Sequence, residues 1–225
     1  MKAVIDTGTM ITLSGTCLMN VFRRFVQVNK IELFISETIA QESVWTPISN
    51  KRFALNAARI KKIMNDGTLK LIPRNGQINN YMEKILYLTN NSFIGNSGPM
   101  TIIQRGEAEA LAIAKSLGAQ AIFVDERTTR ALLESPVRMK EVLERRQNQS
   151  IKLNMEKVEA FKEMFPKIKC FRSIDLIALA YEQDLFNHEL EHGKLELEAA
   201  MYAAKFAGCA VSEKEIQEYL TQLRK

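Results

Sequence analysis

The sequence predicts an α/β fold: a three-layer α/β/α sandwich with a central, mostly parallel sheet, plus helical insertions and C-terminal helices. Three observations carry the prediction. Short apolar runs alternate with helix-like segments along most of the chain, and such alternation builds a parallel sheet with helices on both faces. The clearest runs, "AVI" near the start and "AIFV" at 121–124, are continuously apolar, as strands covered on both sides require. At 225 residues and 46% apolar content, the chain can fill one large core.

The elements follow in order. "KAVID" reads as a buried strand running into the turn "TGT", and a helix is expected from about Met10 to Phe25. "KIELFIS" is a second strand, with Ser36 as N-cap of a helix over "ETIAQESVW". Residues 54–66 have a helical pattern stopped by Gly67, and "TLKLIP" is a third strand closed by Pro73. A helix is expected near "NYMEKILYLT", followed by the loop "NNSFIGNSGP". The Ala- and Leu-rich "GEAEALAIAKSLG" marks a strong helix ending at Gly118, and "AQAIFVD" is a fourth strand ending at Asp125. The charge-rich stretch 134–167 predicts one or two amphipathic surface helices between Pro136 and Pro166. Its cations Arg145, Arg146 and Lys152 suit either a solvated face or phosphates. "KIKCF" is a fifth strand, and "SIDLIALAYEQDL" is a helix with Ser173 as cap. The tail is helical, with a stop at Gly208 and a Ser212–Glu215 capping box. The expected division is a domain over 1–187, with helical insertions at about 74–104 and 134–167, and a helical extension over 188–225 packed on it.

Cys17, Cys170 and Cys209 are too few and too scattered for a disulfide framework or a Cys-x-x-Cys zinc site, which points to a reducing, cytoplasmic setting. The N-terminus has no signal-peptide core, because Asp6 interrupts it early, and no apolar run reaches membrane-spanning length. With 31 Lys plus Arg against 26 Asp plus Glu the net charge is +5, a mild excess compatible with a polyanionic partner.

The chain's only histidines, His188 and His192, form "HELEH", the H-E-x-x-H spacing that grips zinc from one helix face. Polar surroundings and the helix-stopping Gly193 place it on a solvated turn instead. "DTG" at 6–8 is the aspartic-protease triplet, but those enzymes are all-β. The phosphate-loop patterns G-x-x-x-x-G-K-[ST] and G-x-G-x-x-G are absent.

Acids stand where this topology would gather them. Asp6 and Asp125 end strands, Glu42 lies in the helix after the second strand, and Glu107 and Glu109 open the helix beginning at Gly106. Ligands of open parallel sheets bind beyond the carboxyl ends of the strands. Each acid alone serves equally as turn former, surface charge or helix-dipole partner. Together they form an oxygen-only donor set for a hard divalent cation, which can activate water and stabilise charge on a phosphodiester.

"AVIDTGTMITL", "FISETIAQE" and "RGEAEALAIAKSLGAQAIFVDERTTRAL" together resemble the PIN-domain family, the metal-dependent ribonuclease fold that includes VapC-type toxins. The match covers the first 45 residues and residues 105–132, with "CFRSIDLIALAYEQDLF" as closing strand and helix. The resemblance implies an endoribonuclease using Mg²⁺ or Mn²⁺, with Asp6, Glu42, Glu109 and Asp125 as catalytic and metal-binding acids. Glu107 competes with Glu109 for the third position and Glu37 with Glu42 for the second, while Thr7 and Thr9 are candidates to hold an acid or a water. RNA is the implied substrate, an antitoxin or other protein and a second copy are possible partners, and a membrane is not. Arg105, Arg127, Arg130 and Arg172 lie beside the acidic edge, facing RNA phosphates or surface salt bridges. Insertions longer than a minimal toxin needs leave open a binding module of the same fold with weak or no catalysis.

Overall fold

The computed structural model describes residues 1–191 and 193–223. Its strands are β1 (Lys2–Ile5), β2 (Glu32–Ser36), β3 (Leu69–Ile72), β4 (Phe93–Gly95), β5 (Gly98–Pro99), β6 (Ala121–Phe123), β7 (Lys152–Leu153) and β8 (Lys169–Phe171). The helices of the first half are α1 (Thr7–Gly15), α2 (Met19–Val28), α3 (Glu37–Ala40), α4 (Ala54–Asn65), α5 (Gly76–Thr89) and α6 (Arg105–Leu117). Those of the second half are α7 (Arg127–Glu134), α8 (Pro136–Gln147), α9 (Met155–Met164), α10 (Ser173–Glu182), α11 (Lys194–Ala207) and α12 (Glu213–Gln222).

Five strands form one all-parallel sheet in the order β3-β2-β1-β6-β8, the central layer of an α/β/α sandwich. Strand order reverses between β1 and β6, where Ala3, Val4 and Ile5 register with Ala121, Ile122 and Phe123. Right-handed crossovers place the β1–β2 and β2–β3 connections on one face and the β3–β6 and β6–β8 connections on the other. The packing agrees: α6 lies on β1, β2 and β6 with α5 against it and α9 against α5, while α1, α2, α4 and α10 pack among themselves. The central strands are buried on both faces, with Ala3, Val4, Ile5, Leu33 and Ile35 at 0% exposure. Phe123 is edge-on to Phe22, with ring centres 6.3 Å apart, and tilted against Phe171 at 5.7 Å.

Several expectations need correction. The single helix from Met10 to Phe25 is two helices, and the first begins at Thr7 because Asp6 caps it, its Oδ1 accepting from the Thr9 amide at 2.7 Å. Gly15 and a left-handed Cys17 (φ 61°) break the run before α2. The helix expected over "ETIAQESVW" is one turn of α-helix that widens into a π-helical turn over Gln41–Trp45, closed by Thr46 N–H donating to the Gln41 carbonyl at 2.9 Å. The loop after α5 contains β4 and β5, which with β7 make a small antiparallel sheet. The β4–β7 pairing joins residues far apart in sequence, and two- and three-residue strands leave too short a pattern to read. Asn90 braces the rest of this segment: its Oδ1 accepts from the amides of Ile102 and Ile103, and its Nδ2 donates to the Ile103 carbonyl. Ser173 is not the cap of α10 but its first residue; Arg172 occupies the cap.

The tail packs on the sandwich, α11 against α1 and α10, and α12 against α11. Among the described residues, no helix is long and apolar enough to cross a membrane. His192 and the His188 side chain lie outside the described residues, as does the expectation of a solvated histidine turn.

Candidate functional site

Every strand of the large sheet delivers a polar residue at or just beyond its carboxyl end: Arg74 after β3, Ser36 at the end of β2, Asp6 after β1, Asp125 after β6, and Arg172 and Ser173 after β8. Asp6 and Asp125 follow the two strands at the reversal of strand order, where the connecting helices diverge to opposite faces and leave a crevice. The Asp6 amide donates to the Phe123 carbonyl at 3.0 Å, which locks the two strand ends together.

Asp6 is 8% exposed. Burial first, then the charges of Asp125 and Glu107, raise its carboxyl to about 7 despite the Thr9 hydrogen bonding. Asp125, 3% exposed, accepts from the Ser173 amide at Oδ1 and from the Ser173 hydroxyl at Oδ2, both at 2.7 Å. Its backbone carbonyl accepts from Ala210 at 3.2 Å, which ties the C-terminal segment to the site. Buried Cys209 stands beside it, its thiol raised by burial and by the charge of Asp125. Glu107 occupies the third position of α6, where its Oε2 accepts from the Gln104 amide at 2.7 Å. Glu42 is exposed in the π-helical turn and accepts from the Thr7 hydroxyl at 3.0 Å. Thr7 thereby links Glu42 to the segment that carries Asp6. π-Helical turns inside helices frequently mark functional sites.

Glu109 faces elsewhere. Its carboxylate, 2% exposed, receives Arg74 Nε at 3.1 Å and Nη2 at 3.0 Å on Oε1, and the same Nη2 reaches the Thr38 hydroxyl at 3.2 Å. Its Oε2 is buried with no partner among the described residues. Of the two acids in "GEAEAL", Glu107 is the one among the main charges that raise Asp6. The charges of Asp125 and Glu107 thus act on Asp6, Glu42 joins through Thr7, and Glu109 is held in an ion pair with Arg74. Among the described residues, no three His, Cys, Asp or Glu side chains converge closely enough to enclose a metal ion. In this arrangement N–H and O–H donors hold the carboxylates.

Three of the four flanking arginines are engaged: Arg105 pairs with Glu83 at 3.0 Å, Arg130 with Glu134 at 3.9 Å, and buried Arg172 with Glu215 at 2.8 Å and Asp175 at 3.4 Å. Ser173 and Arg74 escaped the sequence reading as site residues. Both had one legible signal, a polar residue directly beyond a strand, the same placement that singled out Asp6 and Asp125. Comparison with known proteins finds no matching family model, no matching curated protein and no matching solved structure.

Proposed function

We propose that the protein is a metal-dependent nuclease of PIN-like design that hydrolyses RNA phosphodiester bonds at the crevice between β1 and β6. The observation that carries this reading is the pair Asp6 and Asp125 at the switch point, with Asp6 raised to about 7 by burial and by its acidic neighbours. Carboxylates gathered in this way hold protons unless a cation neutralises them. The donor set is all oxygen, which fits Mg²⁺ or Mn²⁺ rather than zinc. Asp6 and Asp125 would hold the ion, with Glu107 beside them in place of Glu109, and Glu42 at the rim. Such an ion supplies an acidified water and charge stabilisation at phosphorus.

The chain's own residues supply the rest. Ser173 fixes both oxygens of Asp125, the Thr9 amide orients Asp6, and Thr7 holds Glu42 where it can accept a proton from an attacking water. The reaction is attack of water oxygen on phosphorus with departure of one ester oxygen, which takes up a proton. Cysteines that are all free suit the cytoplasmic setting in which toxins of this fold act, paired with an antitoxin.

Incubation of the protein with a mixed panel of single-stranded and structured RNAs and Mn²⁺ tests the reading, with Asp6→Asn as control. Cleavage by the native chain that falls at least ~100-fold in the variant is expected; no cleavage, or cleavage that survives the substitution, sinks it. A second reading, a binding module with lost catalysis, draws on one observation: both oxygens of Asp125 are already occupied by Ser173. RNA binding without turnover in the same assay selects it.

A further inference from the structure

α7 and α8 form a helical hairpin that turns at Ser135. One stripe of α7 carries Arg127, Arg130 and Glu134 at spacings of three and four, and one stripe of α8 carries Arg138, Val142 and Arg146 at spacings of four. These residues line a single cleft of about 260 Å³, floored by Met139 and Leu143 and closed at one side by Glu215. The volume is small for a cofactor.

Its two acids are already committed. Glu134 lies 3.9 Å from Arg130, and Glu215 is 2.8 Å from Arg172, outside the cleft. Among the described residues Arg127, Arg138 and Arg146 form no ion pair, although Arg145 next door pairs with Glu141. Three exposed guanidinium groups without an ion pair face one cleft, where an anion would relieve their mutual repulsion, and their planar forks match phosphate oxygens.

The cleft adjoins the acidic edge through the chain itself. Arg127 follows Asp125 by two residues. On the opposite wall, Glu215 bonds Arg172, whose neighbour Ser173 donates to both oxygens of Asp125.

We propose that the α7–α8 cleft is a phosphate-binding subsite for the backbone of a single-stranded RNA whose reactive bond lies at the acidic edge, an assignment that rests on the nuclease reading for its substrate. Phosphate contacts fix register without reading sequence, and the apolar floor accepts the edge of one sugar or base.

The test is binding, so that it can fail separately from catalysis. A fluorescent, mixed-sequence oligoribonucleotide is titrated into the Asp6→Asn protein without divalent ions, over a range of salt. Replacement of Arg138→Gln with Arg146→Gln is expected to weaken binding at least ~10-fold and to flatten the logarithmic salt slope by about 1.4, two phosphates at about 0.7 each. Lys61→Gln with Lys62→Gln removes the same charge from α4 and is expected to change affinity less than ~3-fold. Equal weakening by both pairs, or none by either, overturns the subsite. Inorganic phosphate, a nucleoside 5′-monophosphate and polyglutamate form the competing arms. Arginine-dependent binding of any of these without binding of the oligonucleotide overturns the strand assignment. Arginine-dependent oligonucleotide binding supports the subsite even if the native chain cleaves no RNA.

Discussion

Asp6 does two jobs that one substitution separates. As N-cap of α1 it accepts from Thr9, a role asparagine keeps, whereas its buried charge is lost in Asp6→Asn. Its ordinary value is 3.8 and its folded value about 7. Below pH 3.8 the carboxyl is protonated in both states and burial carries no charge penalty; the stability of the native chain then falls as pH rises through about 7. In chelator, Asp6→Asn is therefore expected to be more stable than the native protein at pH 8, by about 2–4 kcal/mol, with the gap closing towards pH 4. Thermal denaturation across pH measures this, and an unchanging gap would show that Asp6 is not charged at the cost inferred. Mn²⁺ should raise the melting temperature of the native chain and not of Asp6→Asn. Ser173→Ala keeps the Ser173 amide but removes the hydroxyl that donates to Oδ2 of Asp125. Loss of such a supporting contact is expected to lower cleavage about 10–100-fold, measured as turnover with the melting temperature as control.

The element that holds the site together is the junction of α10 and α12. Arg172, 7% exposed at its side chain, is surrounded by Asp175, Glu215 and the Ala210 carbonyl, and Tyr219 donates its hydroxyl to Asp175. Partial burial pushes Glu215 up, but hydrogen bonds from Ser212 and Arg172 outweigh it and hold the carboxyl at about 2. A carboxyl held low stabilises the fold above its unfolded value and loses that contribution as pH falls through the folded one. Glu215→Gln is thus expected to destabilise at pH 7 by about 1 kcal/mol, since Glu215 is partly solvated, and to match the native chain near pH 2. Paired urea melts at the two pH values check it. The capping box of α12 was plain in "SEKE", and the exposed position of Glu42 follows from a turn whose widening no local pattern announces. The choice between Glu107 and Glu109 belongs here too. Glu107 lies in the first turn of α6 and Glu109 just past it; residues two apart point to different sides of a helix, so only the seating of α6 on β1 and β2 decides which charge acts on Asp6 most strongly.

At the scale of the whole molecule, α11 and α12 belong to the folding unit. Leu197, Met201, Ile216 and Leu220 are buried, and at roughly 1.5–3 kcal/mol per side chain their loss approaches the entire stability of an ordinary domain, about 5–15 kcal/mol. A chain ending at Leu190 is expected to show no cooperative thermal transition; a sharp one would make the tail an independent addition. The sequence by itself determined the α/β/α class, the five strands of the main sheet and the placement of Asp6 and Asp125 at strand ends, because continuous apolar runs and terminal acids are local signals that burial on both faces demands. Only the tertiary structure decided the order β3-β2-β1-β6-β8, the small antiparallel sheet, the bond from Ser173 to Asp125, the diversion of Glu109 to Arg74, and the meeting of four arginines between α7 and α8. Each depends on residues far apart in the chain being brought within a few ångströms, and periodicity along a chain carries no record of which distant face it will meet.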